Sequence, residues 1–93
     1  EQGPLTLEVE RMAVNWNGQP VALTVTEFWI VHALVRYPGH IKNRDQLMDD
    51  AHLVVDDGTI TSHIKRIRKK FAALDPDFDR IESVYGAGYR WKA

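Results

Sequence analysis

The period of the apolar positions changes twice along this chain, and each change marks a new kind of element. Leu5-Thr6-Leu7-Glu8-Val9-Glu10 alternates apolar and polar residues, as a strand with one buried face does. Ala13-Val14-Asn15-Trp16 and Val21-Ala22-Leu23 flank Asn17-Gly18, a dipeptide suited to a two-residue hairpin because both turn positions take positive φ. These segments predict an antiparallel N-terminal meander. Thr24-Val25-Thr26-Glu27 then has the spacing of a capping box and opens a helix over about Thr26 to Tyr37. Phe28, Trp29, Ile30, Val31, Ala33, Leu34 and Val35 make that helix apolar on nearly every side, which predicts a central position. Pro38-Gly39 ends it. Asn43 to Gln46 repeats the capping spacing and starts a short second helix reaching about Ala51, followed by a loop over His52 to Gly58.

From Thr59 to Leu74 the pattern is that of an amphipathic helix. Ile60, Ile64, Ile67, Phe71 and Leu74 recur every three or four residues and form one stripe. The side facing away carries Thr59, Ser62, Lys65, Arg66 and Lys69. Asp75-Pro76-Asp77 breaks this helix. Arg80 to Val84 and Tyr89-Arg90-Trp91 then read as two strands joined by Tyr85-Gly86-Ala87-Gly88, a C-terminal hairpin.

Composition narrows the class. Ninety-three residues with 44% apolar content suit one small domain spanning 1–93. Cysteine is absent, so neither a disulfide framework nor a thiolate metal site is available. No apolar run is long enough to cross a bilayer and the N-terminus has no signal-peptide pattern, which predicts a cytoplasmic protein with no membrane partner. The opening Glu1-Gln2-Gly3-Pro4, without an initiator Met, is expected of a segment of a longer protein.

Charge changes the picture more than composition does. The net charge is only −1, but it averages two unlike halves. Residues 1–57 hold nine acids against four bases, and residues 58–93 hold eight bases against four acids. Five of those eight bases lie between Lys65 and Lys70. Polyanion binding follows the local field, not the isoelectric point of the whole chain. An ordinary exposed helix mixes signs, because opposite charges one turn apart stabilise it and like charges repel. Here no acid occurs between Gly58 and Leu74. The short hydroxyls of Thr59 and Ser62 let such a helix approach base edges, and Arg66 can fork onto guanine with Ser62 and Lys65 beside it. Arg68, Lys69 and Lys70 can reach phosphates. Duplex DNA is the expected partner, and a winged-helix protein-interaction module is the alternative.

Other chemistry fares worse. His32, His40, His52 and His63 lie among many aspartates, but no two share the i,i+4 spacing of a helical metal pair. A hydrolase built on that scatter is a third class to test, and the expectation is no catalytic residue, no metal and no cofactor. Gly86-x-Gly88 is not followed by a helix whose N-terminus could hold a phosphate. Trp16, Trp29 and Trp91 read as packing, with Trp29 the most exposed.

Four stretches together resemble the OmpR/PhoB output domain of bacterial two-component response regulators. They are Leu23-Thr24-x-x-Glu27-Phe28, Arg44-Asp45-Gln46-Leu47, Thr59-Ile60-x-x-His63-Ile64-x-x-Ile67-Arg68-Lys69 and Val84-x-Gly86-x-Gly88-Tyr89-Arg90. The resemblance covers essentially the whole chain. It implies an α+β winged helix-turn-helix: a four-stranded N-terminal antiparallel sheet, a three-helix bundle and a C-terminal β-hairpin wing. It also implies a phosphoacceptor receiver domain N-terminal to these residues, a homodimer on tandem half-sites, and a loop over 52–57 that contacts RNA polymerase. By position, Thr59, Ser62, His63, Lys65, Arg66, Arg68 and Lys69 correspond to recognition-helix residues that touch DNA, and the wing maps to Ser83 through Gly88. Three positions depart from the pattern. Gly58 stands where a basic residue is usual, Tyr85 stands where the wing often has Arg, and the Trp-Gly that frequently ends the second helix is missing.

Overall fold

The computed structural model describes residues 3–51 and 58–92, and its elements run sheet, three helices, hairpin. Strands β1 (Leu5–Glu8), β2 (Ala13–Trp16) and β3 (Gln19–Pro20) pair antiparallel in that order. The register sets Leu5 against Trp16 and Leu7 against Val14, so the apolar residues share one face. Asn17 and Gly18 both take positive φ, at 52° and 79°, and close the second hairpin directly at Trp16 and Gln19.

That closure moves the third strand ahead of its expected place. The alternation predicts it over Val21 to Leu23, but it occupies 19–20, on the sheet edge where proline is tolerated. The Val21 N–H still donates to the Val14 carbonyl, at 2.8 Å. The Leu23 N–H then donates back to the Val21 carbonyl, turning the chain out of the sheet toward the first helix. The N-terminal sheet of the described residues therefore has three strands, where the resemblance implies four.

Helix α1 (Val25–Val35) begins at the anticipated box: the Glu27 N–H donates to the Thr24 hydroxyl and the Thr24 N–H to the Glu27 carboxylate. Seven of its eleven residues are buried, which puts it at the centre of the domain. Helix α2 (Arg44–Asp50) has the same box from Asn43 and Gln46, and buries Leu47. Helix α3 (Gly58–Leu74) buries Ile60, Ile64, Ile67 and Phe71. Leu74, expected to close that stripe, is exposed at the helix end.

The hairpin pairs β4 (Ile81–Val84) with β5 (Gly88–Trp91). It is fixed to the bundle by a reciprocal backbone pair, Lys42 N–H to Tyr89 O and Tyr89 N–H to Lys42 O. This close approach explains Gly88. With φ at 138°, a Cβ there would sit 2.1 Å from the Lys42 carbonyl oxygen, so only glycine fits. An aromatic cluster joins sheet, third helix and hairpin beneath: Phe71 stacks on Phe78 at 4.4 Å, and Trp16 meets both edge-on. Trp91 completes it. Trp16 and Trp91 are buried while Trp29 is half-buried. No helix among the described residues is long and apolar enough to cross a membrane.

Candidate nucleic-acid interface

Four buried residues anchor one side of α3, and this decides what the other side presents. At 100° per residue, Ser62, Lys65, Arg66 and Lys69 fall within an arc of about 100° opposite the apolar stripe. All four are exposed. Lys65 and Lys69 make no ion pair among the described residues. Thr59 lies in the first turn, but its side chain is outside the described residues, as is the whole 52–57 loop assigned to polymerase contact.

The remaining cations of α3 are engaged within the domain. Arg68 is half-buried: its Nε and Nη2 donate to the Ile81 carbonyl at 3.2 and 2.9 Å, and Nη2 donates to the Ser83 hydroxyl at 2.8 Å. The structure thus brings together Arg68 and Ser83, two residues expected at DNA, as a clamp between α3 and the wing. Lys70, expected at a phosphate, has its ammonium 2.5 Å from Glu27 Oε1. Arg66 Nη2 donates to His63 Nδ1 at 2.9 Å, and its Nε stands 3.7 Å from Glu27 Oε2. A guanidinium can only donate, so this contact needs His63 with an unprotonated Nδ1. Burial, and then the Arg66 charge, hold the His63 pKa below the ordinary histidine value, although Glu27 pulls it the other way. His63 is therefore neutral near pH 7.

Glu27 was legible only as a cap. In the folded chain it is the one buried charged side chain among the described residues, at 1% exposure. Burial pushes its carboxyl up. The Lys70 hydrogen bond, the Thr24 N–H, the Lys70 charge and the Thr24 hydroxyl outweigh that and hold it below the ordinary value. Thr61 and Tyr89 were also missed: their hydroxyls lie 3.3 Å apart and link the start of α3 to β5.

The wing projects beside this face. Its tip is Tyr85-Gly86-Ala87, closed by the Ala87 N–H on the Val84 carbonyl, and Tyr85 is fully exposed. A shallow cavity of about 310 Å³ separates the tip from Asn43 and Arg44 at the start of α2. Among the described residues no three His, Asp or Glu side chains are grouped to hold a metal ion.

An exposed basic helix with a hairpin beside it is the arrangement of a winged-helix DNA reader. The family model described as "Transcriptional regulatory protein, C terminal" matches residues 18–91. The chain belongs to this family. It is an OmpR/PhoB-type winged-helix domain, of the kind by which response regulators bind DNA. Transcriptional regulatory protein BaeR of Escherichia coli O6:H1 is 40% identical over 95 residues, an alignment covering 99% of this chain and 40% of BaeR. Sensory transduction protein RegX3 of Mycolicibacterium smegmatis is 36% identical over 93 residues, covering 97% of this chain and 41% of RegX3. The chain thus spans about two fifths of the length of these relatives. The DNA-binding domain of Klebsiella pneumoniae RstA, solved in complex with the RstA box, has a TM-score of 0.81 at 32% identity and covers 97% of this chain and 92% of that one. The DNA-binding domain of CpxR from E. coli has a TM-score of 0.83 at 26% identity, covering 100% and 94%.

Proposed function

We propose that this OmpR/PhoB-type domain reads duplex DNA through Ser62, Lys65, Arg66 and Lys69, with α3 in the major groove and Tyr85 of the wing at the adjacent minor groove. The observation that carries this is the exposed, acid-free arc of α3, on which two lysines make no ion pair among the described residues. Such a face repels itself in the free protein and is relieved by a polyanion. Arg66 has the fork geometry for guanine, Ser62 and Lys65 flank it, and Lys69 meets a phosphate. Thr59 joins them at the start of the helix, and His63 orients Arg66. Arg68 and Ser83 act by seating the wing.

The domain serves as the output module of a cytoplasmic response regulator, attached to a receiver domain and binding tandem half-sites as a homodimer. The 52–57 loop is assigned to RNA polymerase on the family resemblance alone. The domain has no catalytic role. The RstA domain's complex with its box and the BaeR similarity support the reading.

Affinity for a duplex selected from a random pool, measured from 50 to 200 mM salt, tests it. The two exposed lysines of the face, Lys65 and Lys69, give a log–log slope of about −2. A flat response, or no binding to any selected duplex at low salt, overturns the proposal and favours a protein-interaction surface.

A further inference from the structure

The described residues contain two capping boxes, and their difference is informative. At α2 the reciprocal hydrogen bond comes from Gln46, which is neutral and exposed. At α1 it comes from Glu27, a carboxylate at 1% exposure. A cap needs only an oxygen acceptor, and burying a carboxylate is costly unless it is paired. Charge at position 27 is therefore surplus to the cap. Its partners lie on α3: Lys70 Nζ at 2.5 Å and Arg66 Nε at 3.7 Å.

Those partners are two of the five cations of α3, the helix that the proposed function sets in the major groove. A cation held by a buried carboxylate releases no DNA counterion and adds nothing to sequence-independent affinity. Lys70 is held most firmly, being half-buried and hydrogen-bonded. Arg66 stands between His63 Nδ1 and Glu27, so its guanidinium is restrained before any base arrives. Non-specific phosphates lose the Lys70 contact and meet a restrained Arg66, while a correctly placed guanine still meets a pre-oriented fork.

We propose that Glu27 is a positioning residue that sets specificity, by keeping Lys70 and Arg66 away from non-specific phosphates through ion pairs across the α1–α3 contact. This inference rests on the DNA-binding reading above. It predicts that removing a buried negative charge tightens binding to the wrong DNA.

Glu27→Gln tests it, because the amide oxygen preserves the hydrogen bond from the Thr24 N–H and only the charge is lost. The 93-residue chain and the variant are titrated with a selected duplex and a random-sequence duplex between 50 and 200 mM salt, with melting temperature recorded for each. On the random duplex the variant's slope steepens by about one, so its affinity ratio between those salts grows about 3.5-fold. Discrimination between the two duplexes falls. An unchanged or shallower slope with unchanged discrimination overturns the proposal and leaves Glu27 a cap. If Glu27→Gln does not fold, Lys70→Gln decides. An unchanged random-duplex slope supports a lysine already withheld, and a slope reduced by about one overturns it. If the parent itself shows no salt-dependent binding, the DNA-binding reading fails and takes this inference with it; if the parent binds and only the variant's slope stays fixed, the fault lies with Glu27 alone.

Discussion

Helices α1 and α3 lie in contact, yet they obey opposite rules. Over eleven residues α1 carries only Glu27 and His32 as titratable side chains, and seven of its residues are buried. Over seventeen residues α3 carries five cations and no acid, and its buried positions among the described residues form a single stripe. An all-round apolar helix has no face left for a ligand; an amphipathic one has a free face by construction. The domain thus separates stability from recognition between two neighbouring helices. The one carboxylate of α1 is aimed at α3 and ties the two roles together.

The largest expected effect lies on the structural side of this comparison. Phe28 is 1% exposed and packs edge-on against Trp29. Phe28→Ala removes a core ring at a cost of about 3–5 kcal/mol, a large part of the stability of so small a domain. The melting temperature should fall by roughly 15–25 °C. A variant that melts like the parent would show that α1 is not the strut its burial implies.

On the recognition side, Arg66→Ala should leave melting unchanged within about 0.5 kcal/mol, since the side chain is more than half exposed, while its cost appears on DNA. Roughly 1–3 kcal/mol is lost on the preferred site, together with discrimination at one base pair. Lys69→Ala sharpens the contrast within one helix face. It weakens all duplexes alike and reduces the salt slope by about one. Equal losses on selected and random duplexes for both variants would remove Arg66 from base reading.

Sequence patterning revealed the elements whose cause is local. The Ile60 to Phe71 stripe, the Asn17-Gly18 turn and both capping boxes depend on residues within a few positions of each other, and all form as their spacing predicts. What stayed hidden depends on distant pairs. Lys70 looks like any other lysine of the basic run until Glu27, 43 residues away, is placed beside it. Arg68 likewise turns from phosphate to wing through contacts 13 and 15 residues along the chain. Gly88 reads as part of a tight hairpin tip, but its cause is the backbone of Lys42. Helical periodicity can say that a side chain leaves the core stripe. It cannot say whether solvent or another element receives it.

The smallest expected effect concerns Tyr85, where the proposed recognition surface continues onto the wing. The side chain is fully exposed and so packs on nothing within the domain. A phenol can rest on a sugar edge or donate one hydrogen bond, but it brings no charge to a minor groove whose potential is negative. As it stands, the wing should add shape-dependent contact with little salt dependence and leave the bulk of affinity to α3. Tyr85→Arg supplies the missing charge at a position with no packing to lose, so melting should be unchanged. Binding should tighten most where a narrow A·T-rich groove flanks the half-site, and the salt slope should steepen by about one. Affinity on A·T-rich and G·C-rich flanks, measured alongside melting temperature, checks this. Equal affinity on both flanks, with an unchanged slope, would place residue 85 outside the groove and confine recognition to the third helix.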